Sequence, residues 1–146
     1  MESQPVLDAY ETALEALRVD SEPLNLVVMY PIDRGRQMPQ WSAMVTPEVR
    51  ALEERGPSYY DETICFETLI YGQDATVDLN EITRRLWRWR DQVARKFTDI
   101  DNSGLGDLVD NVDLGPQRVV KAENGSAEWL ALSFDVSIIR LVNYGE

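Results

Sequence analysis

An acidic loop with two glycines carries the clearest pattern of metal ligands in this sequence. Counted from the first aspartate, oxygen-bearing side chains stand at positions 1, 3, 5, 9 and 12, as in the calcium loop of an EF-hand. These candidate metal ligands are Asp99, Asp101, Ser103, Asp107 and Asp110. Gly104 stands at position 6 and the carbonyl group of Leu105 at position 7, which also fits. The pattern raises the hypothesis of a small calcium-binding module.

Other features of the loop favour a plain joint between a helix and a strand. Position 12 holds Asp110 instead of the usual glutamate, and position 8 holds Gly106 instead of an apolar residue. No second such loop occurs, and Leu114-Gly-Pro116 leaves little room for an exit helix. In this interpretation the glycines supply turn conformations, and the apolar residues fill the core: Leu105, Leu108 and Val109. We therefore predict no metal site.

The composition argues against an enzyme. The chain has no histidine, which removes the commonest general base and the commonest transition-metal ligand. Glycine-rich phosphate loops and nucleophile motifs do not occur. Carboxylates are numerous, but no pair stands out. The single cysteine, Cys65, cannot form an internal disulfide, and we expect it to be a half-buried filler. We predict neither catalysis nor a cofactor.

Charge is distributed unevenly along the chain. The net charge is −12, which as a whole repels nucleic acid and anionic membranes. Yet six of the fourteen basic residues lie between Arg84 and Lys96, with Asp91 as the one acid there. This basic segment could contact an acidic partner, such as another copy of the chain, or could be a solvated helix face. No apolar run approaches the roughly 20 residues that span a membrane, and no secretory signal appears, so we expect folding inside the cell.

Apolar spacing predicts two helices. One covers about residues 5–18, with Pro5 in its first turn. The other runs from Asp78 to Phe97, because apolar residues recur there at steps of three and four. We expect Trp87 at the border of that apolar stripe, either as a boundary core residue or as an interface anchor.

A short apolar run predicts a well-buried strand at Leu24–Tyr30, and an alternating pattern predicts a strand at Glu62–Tyr71. A closing hairpin joins Val119–Ala122 to Ala127–Tyr144 through a turn at Glu123–Ser126. In its second strand one face is apolar: Leu130, Leu132, Phe134, Val136, Ile138 and Val142. The fold class is α+β, a single domain whose mainly antiparallel sheet carries two main helices on one face.

Two segments are less regular. Residues 41–57 fit a short strand followed by a helix that starts at Thr46-Pro47-Glu48, or a β-hairpin that turns at Arg55-Gly-Pro-Ser58. Residues 31–40 hold two prolines, a glycine and two arginines, Arg34 and Arg36. We expect an exposed loop there, long enough to grip a partner.

Taken in order, these segments resemble the tail terminator proteins of long-tailed bacteriophages, the tail-completion group that includes the lambda-type terminator. The resemblance covers most of the chain, while residues 41–57 match poorly. It rests on the N-terminal helix, the proline-bearing arm after the first strand, the long helix, and three further segments: Tyr60–Tyr71, Ser103–Asp110 and Trp129–Val142.

The resemblance implies a structural role in the virion, with assembly in the host cytoplasm. Such proteins form a hexameric ring at the head-proximal end of the tail tube and join it to the head or neck. The implied partners are further copies of the chain, the tail tube protein and a head–tail connector, with DNA only passing through the channel. Another neck or tail-completion component is the alternative. The predicted interface residues are Arg34, Arg36, Arg84, Trp87, Arg88 and Arg90.

Overall fold

The computed structural model describes residues 3–29, 37–74 and 79–145. It confirms the predicted α+β class, with two helices and a six-stranded, mostly antiparallel sheet. The elements in chain order are α1 (Gln4–Glu15), β1 (Leu26–Val28), β2 (Ser42–Gly56), β3 (Tyr59–Asp74), α2 (Leu79–Phe97), β4 (Asn111–Leu114), β5 (Arg118–Asn124) and β6 (Ala127–Asn143).

The sheet is built around two long central strands. Its order is β1-β2-β3-β6, and only the short β1–β2 pair is parallel. The far side of β6 is shared by two short strands, with β5 along Ala127–Ser133 and β4 along Val136–Ile139. β4 was not predicted. Its four residues do alternate between polar and apolar, but four residues are the lower limit for such a pattern to indicate a strand.

Both helices cover one face of the sheet. Tyr10 of α1 stacks on Phe66 of β3 with ring centroids 4.2 Å apart, and it also meets Phe97 of α2 at 5.3 Å. The apolar face predicted for the last strand is buried here: Leu130, Leu132, Phe134, Val136, Ile138 and Val142. The alternation of β6 and the apolar spacing of α2 are thereby confirmed.

The other face of the sheet is mostly open. One end is covered by a small second cluster of Met38, Tyr71, Trp129 and Ala131. Along the rest, Glu67 and Asp135 stand directly opposite each other on β3 and β6. Cys65 lies on this face and is fully buried, so the expectation of a half-buried residue was wrong.

Residues 41–57 form a hairpin strand, and the alternative of a helix starting at Thr46 was wrong. β2 pairs with β3 along its whole length, and the chain turns at Pro57 and Ser58. The local threonine–proline helix signal is overridden because this pairing places Ala43 and Val45 in the core. Pro47 is compatible with β2 because a strand that is open on one side needs no N–H there.

The N-terminal elements are shorter than predicted. α1 ends at Glu15 rather than at residue 18, and Arg18 donates to the carbonyl oxygens of Glu15 and Leu17 instead of continuing the helix. β1 comprises three residues, and Leu26 is 38% exposed, so the prediction of a well-buried strand was wrong.

Candidate interaction surface on helix α2

α2 has one buried and one exposed face. Leu86, Trp89, Val93 and Phe97 are fully buried against the sheet. The opposite face exposes a ridge of mainly polar side chains: Arg84, Trp87, Arg88, Asp91 and Arg95. The helix therefore positions three of the six predicted interface residues, Arg84, Trp87 and Arg88, along one line, since residues three and four apart are neighbours on a helix.

Trp87 is the exposed aromatic residue of this ridge. Half of its surface, 50%, is open to solvent, and the guanidinium group of Arg90 lies 4.7 Å from the centre of its ring. Arg90 also lies 3.5 Å from the carboxylate of Asp91, so its orientation is held from two sides. An exposed tryptophan with a stacked arginine is typical of residues that dominate the energy of protein interfaces.

Arg88 has a partner within the chain. It donates to both carboxylate oxygens of Asp20 in the turn between α1 and β1, with Nη1 at 2.7 Å from Oδ2. This hydrogen bonding lowers the pKa of Asp20 and raises that of Arg88. The structure thus gives Arg88, a predicted interface residue, an intramolecular contact that fixes the turn against α2.

Arg85, which the sequence pattern did not single out, also contacts this turn. It donates to Glu22 at 3.0 Å, lies 3.7 Å from Asp20, and its guanidinium group stands 5.2 Å from the ring centre of Trp41. No local signal could find it, because Glu22 lies 63 positions away in the sequence. Arg85 and Arg88 together neutralise the acidic turn.

The remaining cations of the helix are not neutralised by any residue that the structure describes. Arg84, Arg95 and Lys96 form no ion pair with the residues that the structure describes. Arg84 lies one turn before Trp87, so the ridge combines a positive charge with an exposed aromatic ring. Arg34 and Arg36, the other predicted interface residues, lie outside the described residues.

In the loop with calcium-like spacing, side-chain oxygens form hydrogen bonds with backbone groups. Asp99 accepts a hydrogen bond from the amide of Asp101 at 3.0 Å, and Asp110 accepts from the amide of Leu141 at 3.0 Å. Ser103 donates to the carbonyl of Ile100 at 2.7 Å. Gly104 has a φ of +77°, as a turn requires.

These side chains therefore stabilise turns and join the loop to β6. Within the described ranges, no group of three or more His, Cys, Asp or Glu side chains could hold a metal ion. Leu105 and Val109 are buried as predicted, whereas Leu108 is 41% exposed, so its predicted place in the core was wrong.

Comparison of the chain with protein-family models and with curated protein sequences finds no match. In the part of the chain that the structure describes, neither helix is long and apolar enough to span a membrane.

Proposed function

We propose that this protein is a structural component of the virion, a tail terminator. It forms a hexameric ring on the head-proximal end of a phage tail tube and joins the tube to the neck. The observation that carries the proposal is the exposed Trp87–Arg90 pair on α2, next to the free charge of Arg84. A ridge of this kind provides a surface for protein contact.

The order of elements supports the proposal. The structure has an N-terminal helix, a short strand, a long helix and a long final strand, in the order on which the resemblance to tail terminators rests. Residues 41–57, which match that family poorly, form a long hairpin strand instead of breaking this order.

The charge of the chain suits contact with other copies of itself. A net charge of −12 with a locally basic helix gives each subunit surfaces of opposite sign, as head-to-tail rings need. An acidic channel would also let DNA pass without sticking, because DNA affinity grows with each phosphate that a basic side chain neutralises. An electrophoretic mobility shift with duplex DNA at low salt tests this, since tight binding contradicts an acidic channel.

The first experiment is to measure the oligomer by mass photometry and to view it by negative-stain microscopy. We expect rings of six copies, together with binding to purified tail tubes. A strict monomer at all concentrations, without tube binding, overturns the proposal. Rings that bind the connector but not tail tubes identify the protein as another neck component.

The variant Arg84→Glu tests the ridge. We expect fewer rings at a given concentration and an unchanged monomer melting temperature, because Arg84 has no ion pair with a described residue. Lys96→Glu is the matched control, since it makes the same charge change on the same helix but off the ridge, at a cation that also has no ion pair with a described residue. Equal assembly of both variants shows that the ridge is a solvated face.

A further inference from the structure

We infer that the open edge of β2 pairs with the open edge of β5 in a second copy of this chain, so that the sheet continues from one subunit to the next. The inference deepens the proposed function and rests on it for self-association. It identifies where copies join, which the ridge on α2 does not.

β2 is an edge strand over most of its length. β1 covers only Ser42–Met44, and from Val45 to Gly56 no strand among the described residues pairs with its outer side. Pro47 has no N–H to donate, so the segment that can accept an added strand is Glu48–Gly56, whose ladder to β3 is irregular at Arg50 and Arg55. We call this segment the β2 arm.

β5 is the matching edge on the opposite side of the sheet. Its seven residues pair with β6 alone, so its outer side is free of any described strand. The β2 arm and β5 are similar in length, and they lie at opposite edges of one sheet. Two copies placed side by side can therefore join these edges without either strand leaving its own sheet.

The β2 arm presents negative charge outward. Its exposed acids are Glu48, Glu53 and Glu54. Its two cations are engaged by the neighbouring strand, because Arg50 donates to Glu67 and Arg55 donates to Asp61. Glu48 shares Arg50 at 3.6 Å, which leaves Glu53 and Glu54 as the least compensated charges of the arm.

β5 presents positive charge. Arg118 and Lys121 are exposed and form no ion pair with any described residue, and Glu123 is the one acid of the strand. The two open edges are therefore complementary in charge, and this complementarity selects a second copy as the occupant.

Charge also excludes pairing between identical edges. Two β2 arms would bring Glu53 and Glu54 of both copies together, and two β5 strands would bring their cations together. The charges that prevent each edge from pairing with its own kind therefore leave β5 as the partner of the β2 arm. A contact between unlike surfaces is heterologous, which is the type that closes into rings.

Two exposed apolar residues on the β2 arm also favour the addition of a strand at this edge. Val49 is 57% and Leu52 is 49% exposed. Their cross-strand partners are Ile64 and Glu62, so both point to the face that carries the helices. An added strand would reduce the exposure of these side chains, because cross-strand neighbours stand about 5 Å apart.

The test is a charge exchange between two variants. Variant one carries Glu53→Lys and Glu54→Lys, and variant two carries Arg118→Glu and Lys121→Glu. Each variant has two edges of the same sign, so each alone should lose rings, with at least a tenfold higher concentration needed for assembly. Mixed in equal amounts, the two should assemble again, since every contact then joins edges of opposite sign. Asp8→Lys with Glu15→Lys on α1 makes the same change in charge as variant one. It is the control for that variant and should assemble as the wild type does.

Mass photometry of the mixture decides between the outcomes, with circular dichroism melting to confirm that each variant folds. Rings restored only in the mixture support the pairing of these two edges. Rings that persist in both single variants overturn the edge inference while leaving the proposed ring intact. Loss of rings that mixing does not restore also overturns it. A wild type that stays monomeric overturns the proposed function and the edge inference together.

Discussion

Arg140 and Glu62 form a buried ion pair where β6 and β3 run side by side near their ends. Nε of Arg140 lies 2.9 Å from Oε1 of Glu62, and the two side chains are only 8% and 5% exposed. Tyr144 donates to the second carboxylate oxygen at 3.2 Å, and Arg140 also donates to Ser3 at 3.2 Å. The pair therefore connects the start and the end of the described chain to the centre of the sheet.

Removing one member of this pair should be costly. Arg140→Met leaves Glu62 as an uncompensated buried charge, and we expect a loss of about 3–5 kcal/mol in the free energy of unfolding. The double variant Glu62→Leu with Arg140→Met should recover most of that loss, because no charge then remains buried. Urea unfolding measures both. Arg55→Met is the control, since its ion pair with Asp61 lies at the surface and should matter far less. Equal losses for Arg140→Met and Arg55→Met would contradict this account.

Tyr10 should make the fold sensitive to high pH. Its hydroxyl is fully buried, 2.8 Å from Thr68, and burial raises the pKa of Tyr10 well above its ordinary value. The unfolded chain therefore releases this proton first, and stability falls as the pH rises above about 10, by up to roughly 1.4 kcal/mol per pH unit. Tyr10→Phe should remove the largest part of this slope, at the cost of the hydrogen bond to Thr68. A smaller alkaline slope should remain, because burial also raises the pKa of Tyr71 and of Tyr144. Stability measured by urea unfolding between pH 8 and pH 11 is the readout.

Two controls accompany the Tyr10 measurement. Tyr59→Phe changes a tyrosine that is 45% exposed, and it should keep the alkaline slope of the wild type. Cys65 adds an earlier fall above about pH 8.5, because burial raises its pKa too, and Tyr10→Phe should leave that part intact. An alkaline slope that Tyr10→Phe does not reduce would show that other groups cause it.

The two tryptophans of α2 should separate stability from assembly. Trp87→Ala removes a half-exposed ring, so the monomer should keep its melting temperature while ring assembly weakens by tenfold or more, as hot-spot residues show. Trp89→Ala removes a fully buried ring two residues later and should cost about 3–5 kcal/mol of stability. Thermal melts and mass photometry give both readouts. A large loss of stability in Trp87→Ala would show that Trp87 serves the core.

The predictable parts of the fold are those in which one element carries a complete pattern. α2 buries Leu86, Trp89 and Val93 at helical spacing, so its limits followed from the sequence. For residues 41–57 the sequence could not decide between a helix and a hairpin, because the local helix signal at Thr46 competes with pairing to β3. That pairing connects Val45 with Thr68, and a local pattern cannot show such a contact.

The basic surface of α2 was predictable from the sequence, but the ion pairs that its arginines form were not. The cluster of arginines was visible in the sequence, but its partial neutralisation by Asp20 and Glu22 depends on a turn far away along the chain. The open edges of β2 and β5 could not be predicted either. Which strands lie at the edge of a sheet follows from the order of the strands in space, and here two short strands share one side of β6.

The loop from Asp99 to Asp110 should behave as a structural joint. Calorimetry with millimolar calcium should give no binding heat, and calcium should not raise the melting temperature, because the side-chain oxygens of Asp99, Ser103 and Asp110 already bond to neighbouring backbone groups. Asp110→Ala should cost about 0.5–1.5 kcal/mol of stability, since it removes the acceptor for the amide of Leu141. Asp107→Ala is the matched control at an exposed site and should be close to neutral. Stabilisation by calcium that both alanine variants abolish would instead identify the loop as an ion site, because Asp107 takes part only if its carboxylate is a ligand.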